Sequence, residues 1–438
     1  MGPLGIRPPT EVYDDLYFLY ANSRYLYSAP YYRIGYVTSE TVLAWIAVRI
    51  SHFTDKIGGF DIRVLGGVNA GLFLIAVTLA FHPRLRPPPI LRPLLAIGLF
   101  LMFLDVAYVA AFNSFYSATA SYLGLVLIAA IFFHGVHSST RPVMLVPALW
   151  LGALLFVTSK PQEAPLAPLL AVLGARWTRA LFPHWKRKSL VAGAALCVVA
   201  FLQYALVPRE LGDAAIHHAV FLEMLPNSPT PGRDLEELGL PRTWTRYGGT
   251  SAYSEDSPFR DPAFRRELTK HVGHVRIAGF YAFHPARLFD LLHRAASFAT
   301  VTRPWHLGNF DKSAGFPPRA KSQAFAIWSD LKMRVAPWGP WLLLVNVTAA
   351  AAVGAAAWRR APNGTTRFAA EAHLALLVAF LFEFLIGVVG EGISDLVRHL
   401  YAFHVMFDLL LLSNLAFAVA LFRGKDGGRA GPISTVHQ

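Results

Sequence analysis

Three acidic residues near the amino terminus, Glu11, Asp14 and Asp15, lie close together in the stretch TEVYDDLYFLYANSRYLYSAPYY. Neighbouring carboxylates repel one another, which raises the pKa of one of them and makes it a base for a hydroxyl nucleophile. The alternative is a solvated helix start, because Thr10 in front of the acids is a good N-cap residue. The tyrosines that follow favour a surface that contacts sugar rings or lipid headgroups.

A second polar cluster lies within residues 390–412, GEGISDLVRHLYAFHVMFDLLLL, and contains Glu391, Asp395, Arg398 and His399. The spacing predicts that Asp395, Arg398 and His399 share one face of a helix. Arg398 is then placed to bind a phosphate with its guanidinium fork, with His399 as a second donor. The alternative is an ion pair between Arg398 and Asp395 that anchors the helix.

Three further ionisable residues lie inside apolar stretches: Asp105, His404 and Asp408. Charged groups are costly in hydrocarbon, so each predicts either a functional role or an internal pair. For Asp105, Tyr108 is one candidate partner at i+3.

Two short polar turns interrupt the apolar sequence. The turn FNSFYS carries Asn113 and Tyr116, and the turn SKPQE carries Lys160, Gln162 and Glu163. Lys160 is able to neutralise a phosphate, whereas the alternative is an interfacial lysine that extends its ammonium group towards water. Both turns are candidates for substrate binding.

The 16 histidines suggest a metal site, but their spacing does not support one. In the region 208–337 no two histidines form an H-x-x-x-H pair with an acidic residue between them. The sequence HVGH in the same region is a weak signal by itself. We therefore predict structural or surface histidines and no metal ligands. Walker A, G-x-G-x-x-G and G-x-S-x-G motifs are absent as well, which leaves nucleotide and serine hydrolase sites unsupported.

The elements that must position these residues are membrane helices. The chain of 438 residues has 54% hydrophobic and 15% charged residues and a mean hydropathy of +0.41, which predicts an all-α polytopic membrane protein. Nine apolar stretches are long enough to be candidate spans: 64–81, 91–112, 118–136, 144–158, 163–181, 189–207, 338–358, 368–388 and 400–422.

The net charge of +13 does not indicate nucleic-acid binding, because the positions of the basic residues follow the pattern of a membrane topology. Five short loops, at 82–92, 137–141, 176–188, 359–367 and 423–429, hold 15 of the 40 basic residues and one acid, Asp426. Basic loops mark the cytoplasmic side. The predicted division is an outward, periplasmic loop with in-plane helices (1–63), six spans (64–207), an outward soluble region (208–337), three spans (338–422) and a cytoplasmic tail (423–438).

An outward segment of 63 residues with no preceding span has no ordinary route across a membrane. The stretch TVLAWIAVRI is too short to cross and contains Arg49, so it favours an in-plane helix. We therefore expect that the true start lies upstream and includes a first span.

The arrangement resembles membrane glycosyltransferases of the GT-C superfamily, and within it bacterial hexose transferases of glycan biosynthesis. The resemblance rests on EVYDDLYFLY, FNSFYS, SKPQEAPL, DLEELGLP followed by YGGTS, FYAFHPARL and RHLYAFHVMFDLLL, which together touch most of the chain. It implies a GT-C-like helix bundle and a catalytic base in the first outward loop, here Asp15 or Asp14. The missing first span departs from the family pattern.

The resemblance further implies an inverting reaction that transfers a hexose from a polyprenyl-phosphate-linked donor to a glycan or lipid acceptor. The expected substrate-binding residues are Arg398, His399, Lys160, Gln162, Asn113, Tyr116, Glu391 and Asp395. The expected location is the bacterial inner membrane, in contact with its lipids, with the site facing the periplasm or exterior. No cofactor is implied with certainty, and a divalent cation stays open.

The alternative function is a transporter or flippase for lipid-linked glycans that makes no bond. Transporters tend to contain internal repeats and broken helices near the middle of the membrane. The sequence contains no repeat, and its polar clusters gather on one predicted face, which favours an enzyme. A scaffold in a polysaccharide assembly complex is a third class that the sequence leaves open.

Overall fold

A computed structural model describes residues 4–12, 15–29, 37–54, 58–138, 140, 142–305, 307–361 and 364–426. Three short strands near the amino terminus form one antiparallel sheet, and the other regular elements are helices. The strands are β1 Ile6–Arg7, β2 Arg24–Tyr27 and β3 Gly59–Asp61. In the sheet, Ile6 lies opposite Tyr27 and Tyr25 lies opposite Phe60.

Residues 208–337, the predicted soluble region, are called the polar interval. The α-helices before it are α1 Ser39–Thr54, α2 Ile62–Ala80, α3 Leu91–Gly98, α4 Val106–Val109, α5 Ala118–His137, α6 Leu145–Val157, α7 Ala167–Leu181 and α8 Lys186–Ala205. The interval itself contains α9 Arg209–His217, α10 Pro231–Glu237, α11 Pro262–His271, α12 His274–Phe283, α13 Pro285–Ala296 and α14 Ile327–Arg334. The last helices are α15 Gly339–Arg360, α16 Gly364–Glu391, α17 Leu396–His399 and α18 Tyr401–Asp426.

Six helices in the described residues are long and apolar enough to cross a membrane, which confirms an all-α polytopic membrane protein. They are Ile62–Ala80, Ala118–His137, Pro183–Ala205, Ala336–Arg360, Gly364–Glu391 and Tyr401–Leu421. A bent pair, Leu91–Phe103 and Val106–Asn113, makes a seventh if it is counted as one span. Helix α6 is apolar but shorter, and the division into nine spans stays a prediction.

Contacts between loops define the two ends of the bundle. At one end, which carries basic loops, the backbone N–H of Arg86 donates to the carbonyl of His137 at 2.8 Å, and Arg176 pairs with Glu371 at 2.7 Å. The turns that contain Lys160 and Arg398 meet at the other end. The candidate residues therefore lie away from the basic loops, and which end faces the cytoplasm stays a prediction.

Asp105 lies at the break between α3 and α4, where the two parts of the span meet at 55°. Its Oδ1 accepts from the backbone N–H of Ala107 at 2.9 Å, and its Oδ2 accepts from those of Trp328 and Ser329 at 3.0 and 2.9 Å. One buried carboxylate thus caps the first turns of both α4 and α14. The suggested partner Tyr108 was wrong, because the Tyr108 hydroxyl donates to Asp408 instead.

Asp408 forms an internal ion pair with Lys332 of α14. The Lys332 Nζ lies 3.0 Å from Asp408 Oδ1, and both side chains are almost fully buried. Tyr108 and the Trp328 indole also donate to the carboxylate, at 2.6 and 3.0 Å. Since Asp408 lies seven residues beyond the start of α18, roughly 10 Å along its axis, α14 packs into the bundle and does not only rest on its end.

Candidate functional site

Two turns from distant parts of the chain meet at one end of the bundle. The ammonium group of Lys160 donates to the backbone carbonyl of Arg398 at 3.3 Å. The Gln162 side-chain amide donates to the carbonyl of His399 at 2.9 Å. Four of the residues predicted to bind substrate are therefore neighbours, although more than 230 positions separate the two turns.

Buried carboxylates lie beneath these turns. Gln162 Nε2 also donates to Glu383 Oε2 at 3.0 Å, and Glu383 is fully buried in α16. Glu163 is fully buried too, and it accepts from the hydroxyls of Ser121 and Ser159 at 3.1 and 3.3 Å. Glu383 was not among the predicted site residues, although it is an isolated acid in the apolar run VAFLFEFLIG and could have been found by that signal.

Lys160 has unused capacity to bind an anion. An ammonium group has three N–H donors, and the one hydrogen bond found for Lys160 in the described part of the chain is to the Arg398 carbonyl. None of the ion pairs among the described residues includes Lys160. Burial lowers the pKa of this ammonium group, while Glu163 and Glu383 act in the opposite direction.

Arg398 and His399 are each held by a carboxylate. Arg398 Nε lies 2.7 Å from Asp395 Oδ2, so the ion pair of the simpler interpretation is present. His399 Nε2 lies 2.9 Å from Glu391 Oε2. The predicted common helix face was wrong: α17 begins only at Leu396, and Asp395 precedes it with a left-handed backbone, φ 47°. A turn brings these side chains together instead.

Glu391 also connects this turn with the polar interval. Its Oε1 lies 2.9 Å from His218 Nδ1. The backbone N–H of Ala252 donates to His218 Nε2 at 3.1 Å, so we assign the imidazole proton to Nδ1, which donates to Glu391. The structural role expected for histidines therefore applies to His218, which is buried.

A second carboxylate, Glu223, holds the same turn from the side of the interval. The backbone N–H of Ile393 donates to Glu223 Oε2 at 3.2 Å, and Arg294 donates to Oε1 at 2.7 Å. Gly392 has φ 79° and lies so close that an added Cβ would be 2.4 Å from the Glu223 Cβ. Position 392 therefore requires glycine. No feature of the sequence had marked Glu223 as a residue of the site.

The candidate base Asp15 begins a short π-helical segment, Asp15–Leu19, that packs on the polar interval. Its Oδ2 lies 2.8 Å from the Lys312 Nζ. Asn309 donates to the carbonyl of Phe18 at 3.1 Å, and the Phe18 and Trp305 rings stack at 5.0 Å. The contacts found for the Asp15 carboxylate within the described residues do not include Arg398 or Lys160. Asp14 lies outside the described residues.

The other predicted turn lies beside α2. Asn113 is exposed and packs over Gly66, where an added Cβ would be 2.0 Å from the Asn113 Oδ1. Tyr116 is half-buried against the hydrophobic core. Asn113 therefore explains the small residue at position 66, and a role in substrate binding stays a prediction for both.

The described residues contain no group of three or more His, Cys, Asp or Glu side chains that could hold a metal ion. In chemical terms the site combines cations beside two turns with carboxylates that position them. Such a set can bind an anionic group at the end of a membrane bundle.

The family described as the YfdI N-terminal transmembrane domain matches residues 1–425. No curated protein and no solved structure matches the chain.

Proposed function

The chain belongs to the YfdI N-terminal transmembrane domain family, and we propose that it is an inverting membrane glycosyltransferase of the GT-C type. In this proposal it transfers a hexose from a polyprenyl-phosphate-linked donor to a glycan or lipid acceptor on the outer face of a bacterial inner membrane. The observation that carries the proposal is a pair of hydrogen bonds between two turns: Lys160 donates to the carbonyl of Arg398, and Gln162 donates to that of His399.

These three side chains suit the leaving group of the reaction. As the bond between the sugar and the phosphate breaks, negative charge accumulates on the phosphate, and preplaced cations stabilise it most in the transition state. Among the described residues Lys160 has one hydrogen-bond partner for its three N–H donors, and Arg398 contributes a guanidinium that remains partly exposed beside Asp395. A lipid-linked phosphate lies at the membrane surface, which is where the end of the bundle would present this site.

Asp15 is the proposed base. It would take the proton of the acceptor hydroxyl while that oxygen bonds to the anomeric carbon and the polyprenyl phosphate departs with the bonding electrons. The pairing with Lys312 does not prevent this role. The Lys312 side chain is 68% exposed and that of Asp15 is 20% exposed. Water screens the charge of an exposed lysine and weakens its ion pair, so an acceptor is able to displace the lysine.

The proposal is tested with the purified full chain in lipid nanodiscs and a synthetic polyprenyl-phosphate hexose that is labelled in the sugar. A lipid and glycan extract from the host membrane supplies acceptors. We expect free polyprenyl phosphate to appear together with labelled product, and Lys160→Ala to abolish most of both. An intact donor in the wild-type reaction, with every acceptor fraction unlabelled, would contradict the proposal.

The broken span is the one observation that favours the alternative, a transporter or flippase, because discontinuous helices are typical of transporter sites. Here, however, the chain itself fills the break: Asp105 caps α14, and the Val106 N–H donates to the Phe325 carbonyl at 3.1 Å. Movement of a fluorescent donor analogue across vesicles, without donor cleavage, would favour the transporter.

A further inference from the structure

Helices α12 and α13 expose several apolar side chains. Val275, Phe283 and Phe289 are 88%, 83% and 72% exposed. Ala278 and Ala282 are exposed as well, and they follow Val275 at spacings of three and seven residues, on the same side of α12. We call these five residues the apolar face of α12–α13. Large apolar side chains exposed next to one another mark an interaction surface.

The arginines of the same helices are engaged by other residues of the chain. Arg276 donates to the carbonyls of His271 and Glu237 at 3.1 and 3.0 Å. Arg287 binds the buried Asp234, and Arg294 binds Glu223 at 2.7 Å. The ionisable neighbours of Phe289 are Asp290, which pairs with Arg294 at 3.0 Å, and His293, whose ring stacks on that of Phe289 at 6.2 Å. The five residues of the face carry no charge themselves.

The two helices pack against the ends of membrane spans. Helix α13 lies against α15, and the first residue of α15, Gly339, is so close that an added Cβ would be 2.5 Å from the Ala296 carbonyl oxygen. Trp338 and Trp341 are largely exposed at the start of this span. Tryptophan is enriched where a span meets the membrane interface, so α13 lies at the level of the interface.

We propose that the apolar face of α12–α13 docks onto the outer surface of the lipid bilayer. The side chains would enter the boundary between headgroups and acyl chains by roughly 5–10 Å, as amphipathic helices that lie in the interface do. The lipid surface is the preferred occupant because α13 packs directly against α15, a candidate span that begins with the exposed tryptophans Trp338 and Trp341.

Docking would fix the candidate site relative to the membrane. Arg294 of α13 binds Glu223, and Glu223 accepts from the Ile393 N–H in the turn that carries Arg398 and His399. Two contacts therefore link the docked helix to that turn. The docking itself does not depend on the proposed transfer reaction, and its test measures no activity.

The test uses the single cysteine of the chain, Cys197. In a full-length Cys197→Ser background, Val275→Cys, Phe283→Cys and Phe289→Cys are labelled one at a time with an environment-sensitive fluorophore. The matched control is Tyr253→Cys, since Tyr253 is also in the polar interval and is 65% exposed. The labelled proteins are reconstituted into vesicles of phosphatidylethanolamine and phosphatidylglycerol.

We expect blue-shifted emission at the three positions, strong quenching by lipids with a nitroxide near the headgroup, and weak quenching by aqueous iodide. The control should show the reverse. Equal behaviour of all four positions would overturn the proposal. Blue-shifted emission without lipid quenching, together with disulfide cross-linking between copies, would also overturn it, because a second copy of the chain would then cover the face.

Discussion

The Lys160 ammonium group lies 3.3 Å from the backbone carbonyl oxygen of Arg398, although 238 positions separate the two residues. This contact joins a turn after α6 to the turn before α18. It places a lysine that forms no ion pair among the described residues beside an arginine and a histidine that carboxylates hold in place. The proposed phosphate site depends on this relationship.

Replacing Lys160 should therefore weaken donor binding. A hydrogen bond to a charged group contributes about 1.5–3 kcal/mol, so we expect Lys160→Ala to lower kcat/KM for the donor by roughly 10–150-fold. Lys160→Arg should retain part of the activity because the positive charge remains. Initial rates over a range of donor concentrations measure both effects.

Arg176→Ala is the control for loss of a positive charge. Arg176 is an exposed cation at the opposite end of the bundle, where it pairs with Glu371. Its removal should leave kcat/KM near the wild-type value. Equal losses in the Lys160 and Arg176 variants would indicate a general effect of charge and would remove the phosphate site.

Glu391 should act as a positioning residue, since its carboxylate contacts His218 and His399 at 2.9 Å each. Glu391→Gln removes the charge, and we expect the donor KM to rise roughly tenfold while kcat changes much less. Glu391→Asp keeps the charge and should restore part of the affinity. A purely structural role would instead lower the amount of folded protein and leave the donor KM of the remainder unchanged.

The buried pair of Lys332 and Asp408 should stabilise the fold as a unit. Lys332→Met leaves the Asp408 charge buried without its partner, which costs about 3–5 kcal/mol in the free energy of unfolding. Asp408→Asn should destabilise the protein as well. The double variant should lose less stability than the two single losses combined, as measured by thermal unfolding in detergent; strictly additive losses would show that the pair is not coupled.

Stability should fall as the pH rises, because burial raises the pKa of Glu40 to about 8 from 4.5. Between these values the unfolded chain releases the Glu40 proton while the folded chain keeps it. The stabilisation is therefore complete below pH 4.5 and is lost as the pH rises to about 8, at a cost of roughly 5 kcal/mol.

Glu40→Gln should remove this pH dependence, because glutamine has nearly the same shape and does not titrate. Thermal unfolding of both proteins across the pH range measures the difference. The exposed Glu11→Gln is the control and should follow the wild type. An unchanged pH profile in Glu40→Gln would mean that another group controls the effect.

The membrane helices could be predicted from the sequence because long apolar runs have few alternatives to a span. The break at Asp105 could not, because it depends on backbone donors from α14, more than 220 positions later. For Asp408 the sequence indicated that a partner was needed. Lys332 could not be identified as that partner, because the sequence of α14 is typical of a surface helix. In the structure, however, Lys332 is buried.

In the candidate site, the short polar turns with Lys160, Gln162, Arg398 and His399 could be found from the sequence because they interrupt apolar runs. The structure shows that the two turns are in contact. Glu223 and His218 hold the turn through contacts across 170 and 173 positions. No local spacing predicts such contacts, because they depend on how the polar interval packs on the bundle. The roles of all these residues in binding substrate stay predictions.

The most direct test of the account separates donor binding from transfer in Asp15→Asn. If Asp15 is the base, this variant should bind the polyprenyl-phosphate hexose with wild-type affinity while the rate of transfer falls roughly 10²–10⁴-fold. Asp14→Asn tests the neighbouring acid in the same way. Transfer at the wild-type rate by both variants would contradict the assignment of the base and, with it, the proposed reaction mechanism.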